Sequence, residues 1–355
     1  MIEIIAEAGS NHNGELSLAL ELVDIAKNCG ADSVKFQFIY PEGLYIPSYV
    51  SADSYTDNPV FNRRQKEVLS PNEWKSIWAH AKELNIIPSA SVFDIRGLEL
   101  LSELGAPYVK IASTDLNNSA LIREVAMSGM PVYMSTGMST ISEIDVAVSA
   151  FQKVASLSML TLFHCVSIYP CPTEESNLEM ISVLKKTFGV RVGFSDHTST
   201  NLASCIAVAL GAEVIEKHFT VNKSLPGFDH AHALSRDELA SFVSDIRTSA
   251  LAIERKVTKV GQAESVTKIR ARRGLYAARD LAEGEILSEK DVLVVRPKTE
   301  LNPDDLHMLI GKKILVRINK YEPLTVGDSV QAAIPSWSEA ADYWDKEMRH
   351  KKIST

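Results

Sequence analysis

Cysteine is scarce in this chain: only Cys29, Cys165, Cys171 and Cys205 occur, none at C-x-x-C spacing and each within apolar sequence. That argues against a disulfide scaffold and predicts buried packing in a reducing compartment. No apolar run approaches the ~18 residues of a membrane span, and no basic segment precedes an apolar one near Met1-Ile2-Glu3-Ile4-Ile5. A cytoplasmic protein is therefore expected. Blocks of Lys and Arg are also missing, and the net charge is −8. Nucleic acid and anionic membranes are thereby excluded as main partners. What remains is an ordinary globular composition, 45% hydrophobic and 23% charged over 355 residues. It suffices for one large domain and a small one.

Apolar, β-branched runs recur at residues 2–8, 33–39, 87–93, 108–113, 131–136, 160–167, 191–197 and 214–220. Segments with helical spacing lie between them, such as Leu16, Ala19, Leu20, Val23 and Ala26, with Gly30 as a stop signal. Continuous apolar strands alternating with helices imply a parallel sheet covered on both faces. Eight such units imply a closed (β/α)₈ TIM barrel over residues 1–255. An internal repeat supports this. Gly30-Ala31-Asp32-Ser33-Val34-Lys35, Gly105-Ala106-Pro107-Tyr108-Val109-Lys110 and Gly211-Ala212-Glu213-Val214-Ile215-Glu216 each place a charge five residues after a glycine, inside the expected barrel. Charges there are costly unless they serve a ligand.

Tyr40 to Ser70 is too long and polar for an ordinary connection and reads as an active-site loop. Residues 256–273 are charged and lack a strong apolar period, as a linker would. Short runs with turns between them at 274–279, 292–296 and 312–318 predict a small β-rich domain over 274–331. In the remaining segment, 332–355, Pro335-Ser336-Trp337-Ser338-Glu339 starts like a capping box. Trp337, Ala341, Trp344 and Met348 share one helical face, which predicts a short docking helix.

On such a barrel the polar residues ending the strands converge on one pocket. They are Glu7; Lys35 and Gln37; Ser91; Lys110, Ser113 and Asp115; Ser135; His164, Ser167 and Tyr169; Ser195 and His197; Glu216 and His218. A single serine in such a place is usually a turn residue. Two lysines with several hydroxyls, taken together, suit a phosphate-bearing anion. His197 and His218 end consecutive strands, each with carboxylates nearby. A lone histidine there is more often hydrogen-bonded packing, but two can meet on one divalent ion.

Six ordered segments, residues 5–14, 34–37, 109–113, 134–138, 194–198 and 216–220, resemble signatures of the sialic acid synthases and their legionaminic and pseudaminic relatives. So do Pro226-Gly227-Phe228-Asp229-His230 and Val295-Arg296-Pro297, the latter in a module similar to the antifreeze-like (SAF) domain that ends those enzymes. The resemblance spans residues 2 to about 331. It implies condensation of phosphoenolpyruvate with an open-chain N-acylated hexosamine. His197 and His218 would hold a divalent metal, Mn²⁺ first and Mg²⁺ or Co²⁺ otherwise. Lys35, Ser91, Lys110, Ser113, Ser135, Ser167 and Ser195 would bind phosphoenolpyruvate. Glu7 would handle the proton of the attacking water, with Asp115 a further acid–base group. Gln37, Tyr169, Asp229 and Arg296 would grip the sugar, Arg296 from the opposite subunit of a domain-swapped homodimer.

Three positions depart from the sialic pattern: Asp115 in place of a common glutamate, Ser167 in place of a frequent asparagine, and Val92 in place of a frequent proline. Ser167 looks more like the pseudaminic relatives, whereas residues 226–230 look like the sialic and legionaminic branch. Two competing readings are another barrel enzyme, either a synthase acting on a sugar phosphate or a metal-dependent aldolase, and a non-catalytic carbohydrate-binding relative. The former calls for a second phosphate site, for which Arg63 and Arg64 are the nearest basic residues. The latter has no reason to keep buried charge.

Overall fold

The computed structural model describes residues 2–51, 54–254 and 260–327. The docking helix expected after residue 331 lies outside them. The chain divides into two compact units, Met1–Arg255 and Lys256–Thr355.

In the first unit all eight expected strands form: β1 (Glu3–Gly9), β2 (Ser33–Phe38), β3 (Ile87–Val92), β4 (Val109–Ile111), β5 (Val132–Ser135), β6 (Leu160–Cys165), β7 (Arg191–Asp196) and β8 (Val214–His218). They pair in parallel in sequence order, and β8 pairs with β1 to close the barrel. Each strand leads to a helix: α1 (Leu16–Asn28), α2 (Pro71–Glu83), α3 (Ile95–Glu103), α4 (Ser119–Met127), α5 (Ile141–Gln152), α6 (Glu179–Phe188), α7 (Leu202–Ala209) and α8 (Arg236–Glu254). Local sequence fixes their starts. Ser70 with Glu73 and Thr140 with Glu143 form reciprocal capping boxes at α2 and α5.

Outward strand residues such as Ala6, Phe36 and Val192 pack with inner helix faces, including Leu22, Ile77 and Phe242, in one continuous shell. Burying each large apolar side chain there contributes about 1.5–3 kcal/mol. Inside the barrel, Ile5, Tyr108, Tyr133, Phe163 and Val214 form a separate apolar plug. The polar strand ends stand above it.

Two connections differ from expectation. The 40–70 segment is not simply a loop: it contains helices Pro41–Leu44 and Pro59–Lys66 around an antiparallel hairpin of Ser48–Ser51 with Ser54–Asp57. Its second helix is capped by the Asn58 side chain. The stretch read as a linker contains a helix, Gln262–Ala271, because Ala, Glu, Lys and Arg favour helix even without a strong apolar stripe.

In the second unit, β9 (Gly274–Ala277) pairs antiparallel with β10 (Val292–Val295). Leu275, Leu281, Leu287, Leu301, Ile314 and Leu324 contribute to a small core of its own. The run at 312–318 joins by the isolated bridges Ile286 to Lys313 and Leu281 to Ile318.

Candidate active site

The three charges of the repeat meet in the barrel interior. Register sets Glu7 beside Lys35 and Ser195 beside Glu216. The Lys35 Nζ lies 2.6 Å from Glu7 Oε2 and 3.8 Å from Glu216 Oε2, while Lys110 Nζ lies 2.8 Å from Glu216 Oε2. All four residues are at most 4% exposed. Around them Lys35 donates to Ser91 Oγ at 3.0 Å, Ser195 to Glu216 Oε1 at 3.0 Å and Gln37 Nε2 to Glu7 Oε1 at 3.1 Å. Lys110 Nζ also rests 3.9 Å above the Phe163 ring, so the plug supports the charged floor.

Burial and pairing split the two acids. Burial pushes the Glu7 carboxyl up to about 7, with Lys35 opposing and Glu216 adding to the rise. For Glu216 burial acts in the same direction, but Lys110 and Lys35 outweigh it and hold the carboxyl well below the usual range. Burial weakens the Lys110 ammonium, partly offset by Glu216. At Lys35 burial is outweighed by Glu216 and Glu7, which raise it. A proton-accepting group poised near neutrality beside fixed ammonium groups is a common mark of a reactive site.

Above this floor opens a cleft of about 410 Å³ at the carboxyl ends of the strands. Glu7, Lys35, Gln37, Ser91, Lys110, Ser113, Ser135, Ser167, Tyr169, Ser195, His197 and His218 all line it. Its hydroxyl-rich wall depends on Gly137. A Cβ there would sit 2.5 Å from Ser167 Oγ and 2.8 Å from both Ser113 Oγ and Cys165 Sγ. The Gly137 N–H donates to Ser113 Oγ at 3.0 Å.

A second wall is imidazole. The His197 and His218 rings lie 5.7 Å apart, and Tyr169 packs 4.3 Å from His197. His197 Nδ1 donates to the Val166 carbonyl at 2.8 Å, which leaves Nε2 as the acceptor nitrogen. Burial lowers both rings to about 4, with His218 adding to the effect at His197 and Asp229 opposing it at His218. They are therefore neutral, as metal ligands must be. A compact potential ligand group is His218, Asp229 and His232, whose donor atoms lie within 4.8 Å of one another. His197 stands outside that group.

Other sequence candidates fall elsewhere. Asp115 is buried after β4, accepts from the Thr114 hydroxyl at 2.9 Å and is not among the residues lining the cleft. Burial raises its carboxyl, with hydrogen bonds from Thr114 and Asn118 opposing. His164 is packing: its Nε2 bonds the Ser176 carbonyl and its ring lies 5.7 Å from Phe194. Arg296 follows β10 in the second unit and is exposed. Two contributors went unassigned by sequence: Cys165 lines the cleft instead of only packing, and His232 joins His218 and Asp229. Arg64, named with Arg63 as a basic residue for a second phosphate, reaches the cleft from the helix of the 40–70 segment. Arg64 is already engaged by Ser10 Oγ at 2.7 Å and Glu67 Oε2 at 2.8 Å.

A closed parallel barrel whose strand ends hold buried lysines, clustered hydroxyls and neutral imidazoles defines an architecture for chemistry on small anionic substrates. The NeuB family matches residues 22–258 and the SAF domain residues 272–328. The chain belongs to the NeuB family, the sialic acid synthases, and carries a SAF domain. It is 36% identical to the N,N'-diacetyllegionaminic acid synthase of Campylobacter jejuni, over 87% of this chain and 94% of that protein. It is 32% identical to the pseudaminic acid synthase of Helicobacter pylori, over 92% and 97% of the two chains. The crystal structure of the N-acetylneuraminic acid synthetase of Leptospira borgpetersenii superposes with a TM-score of 0.67 at 34% identity, covering 74% of this chain and 89% of that one. No helix among the described residues is long and apolar enough to cross a membrane.

Proposed function

We propose that this chain condenses phosphoenolpyruvate with an open-chain N-acylated hexosamine and releases a nine-carbon 2-keto-3-deoxy sugar acid and phosphate. The observation that carries this reading is the cleft itself, with Lys35 and Lys110 on the floor and Ser91, Ser113, Ser135, Ser167 and Ser195 around it. The lysines act as point charges for phosphate and carboxylate, and the hydroxyls orient them. The methylene carbon of phosphoenolpyruvate bonds to the aldehyde carbon, and the aldehyde oxygen takes up a proton. Water then adds at the neighbouring phosphate-bearing carbon, and that carbon becomes the ketone as phosphate leaves.

Glu7, poised near neutrality, accepts the proton of that water. Gln37, Tyr169 and Asp229 hold the sugar, and Arg296 closes over it from the partner in a domain-swapped, cytoplasmic homodimer. His197 and His218 hold a divalent ion, Mn²⁺ before Mg²⁺ or Co²⁺. The fit rests on buried imidazole nitrogens that are neutral, one of them, His218 Nδ1, without a hydrogen-bond partner among the described residues. Bound there, the ion supplies Lewis-acid polarisation of the aldehyde oxygen.

The test is phosphate release from phosphoenolpyruvate with Mn²⁺ and a panel of N-acylated hexosamines. Release that requires one of these sugars is the expected result. Turnover only with phosphorylated sugars would move the protein to the competing synthase reading, and no turnover with either class would overturn the proposal.

A further inference from the structure

The residues that precede the two strand-end histidines face away from the cleft. Successive side chains of a strand alternate between its faces. Ser195 and Glu216 therefore point into the barrel, where they meet each other, and His197 and His218 again line the cleft. Asp196 and Lys217 point outward between them, towards the helices, and neither is among the residues lining the cleft. The register of β7 and β8 sets these two side by side. Lys217 Nζ lies 2.9 Å from Asp196 Oδ2, with the side chains 3% and 0% exposed, and 5.7 Å from the Phe242 ring on α8. An ion pair is thus sealed in the apolar layer directly behind the imidazoles.

Its remaining bonds are directed at the backbone next to His197. Lys217 Nζ donates to the carbonyls of Thr198 and Thr200. Asp196 Oδ1 accepts from the Thr198 N–H at 2.7 Å, and Oδ2 accepts from the Ser204 hydroxyl on α7 at 2.6 Å. Thr198 is held at both its N–H and its carbonyl by the same pair, one residue beyond His197. The His197 carbonyl itself accepts from the Cys171 N–H at 2.8 Å, and the His218 carbonyl from the Leu234 N–H at 2.9 Å. Simple packing has no use for such an arrangement. Replacing a buried ion pair by apolar side chains of similar volume is often neutral or stabilising, because the charges lose their hydration. What apolar side chains cannot supply is directed bonds that fix where the two strand ends stop.

We infer that Asp196 and Lys217 are a positioning pair, which sets the spacing and orientation of His197 and His218 from outside the barrel. This rests on the divalent-ion reading proposed above and adds no ligand to it. The pair touches neither substrate nor ion. Its effect is on geometry, where a misplacement of about 1 Å can cost about 10²-fold in rate.

The test replaces both charges at once in the full chain, Asp196→Leu with Lys217→Met, so that neither is left buried alone. The melting temperature is expected to be kept or raised. The chelator-stripped variant should bind Mn²⁺ at least about 10-fold more weakly, followed by the electron paramagnetic resonance signal of free Mn²⁺. Its kcat should fall at least about 10-fold while the KM for phosphoenolpyruvate stays nearly constant. Unchanged Mn²⁺ affinity and kcat would overturn this inference alone, whether or not the melting temperature moves. An equal loss in the KM for phosphoenolpyruvate would also overturn it, since general loosening of the barrel would then account for the effect. Should the double variant fail to fold, Lys217→Arg decides: it keeps the charge but redirects the donors, so the same losses are expected and normal values would refute the assignment. Failure of the unaltered chain to bind Mn²⁺ would overturn the divalent-ion reading and this inference with it.

Discussion

Glu7 and Lys35 stand side by side on β1 and β2 with 2.6 Å between carboxylate oxygen and ammonium nitrogen, yet burial still pushes the Glu7 carboxyl up to about 7. If Glu7 accepts the proton of the attacking water, turnover should rise with pH through about 7. That limb should disappear from the pH–rate profile of Glu7→Gln. Stability carries the opposite sign. A raised pKa means that the folded state binds more protons than the unfolded state between the ordinary carboxylate value and about 7, so this contribution is lost as pH rises through that window. Glu7→Gln, which cannot titrate, should therefore gain melting temperature relative to the unaltered protein on going from pH 5 to pH 8. A constant difference would assign Glu7 an ordinary carboxylate pKa.

Lys110→Ala should impair use of phosphoenolpyruvate more than use of the sugar. It removes a charge aimed at an anion and leaves Glu216 with Lys35 as its remaining ammonium neighbour, 3.8 Å away. Steady-state kinetics with each substrate varied in turn would show a rise confined largely to the KM for phosphoenolpyruvate. An effect on the sugar KM alone would reverse the assignment.

Chelation should abolish turnover, and Mn²⁺, Mg²⁺ or Co²⁺ should restore it. His197→Ala and His218→Ala should each lose at least about 10²-fold in kcat, the scale of one electrostatic transition-state contact. Near-normal rates in either variant would return that ring to a packing role.

Asp115→Glu is expected to retain activity, since the longer acid is the one common in the sialic branch. Its measurement is kcat beside a melting curve, because an extra methylene at a buried site costs about 1–3 kcal/mol of stability. Collapse of kcat with an unchanged melting temperature would show that the surroundings are built for the shorter side chain.

Arg296 and His197 provide a test of subunit exchange. If Arg296 acts across a dimer, co-expressed His197→Ala and Arg296→Ala chains form mixed dimers with one intact site each. Random equal pairing should then recover roughly a quarter of the unaltered activity. Activity no higher than that of the separate variants, with mixed dimers verified, would mean that each SAF domain serves its own barrel.

All eight barrel strands were legible because a strand covered on both faces must be apolar throughout, and runs such as Ile4-Ile5-Ala6 and Val214-Ile215 interrupt polar sequence plainly. The glycine-spaced repeat likewise disclosed Lys35, Lys110 and Glu216, because a charge kept inside a buried apolar run needs a partner or a ligand. The hairpin within residues 40–70 was not legible. The side chains described in its two strands are almost all exposed, so no alternation of apolar and polar residues marks it. His232 was hidden for a different reason: it lies in an irregular connection, where its approach to Asp229 depends on the path of the backbone and not on any period. The helix Gln262–Ala271 rests on propensity without a strong apolar stripe, a weak signal beside its high charge.

The register that pairs Glu7 on β1 with His218 on β8 has a consequence for the order of events in folding. These are the first and last strands of the barrel, so the reactive acid and its neighbouring imidazole are strangers in the chain until the final seam is sewn. A half-built barrel lacks the floor, which draws Glu7 and Lys35 from β1 and β2, Lys110 from β4 and Glu216 from β8. An anion that recognises only the finished floor must therefore stabilise the closed barrel by mass action, and its occupancy doubles as a report that the seam is shut.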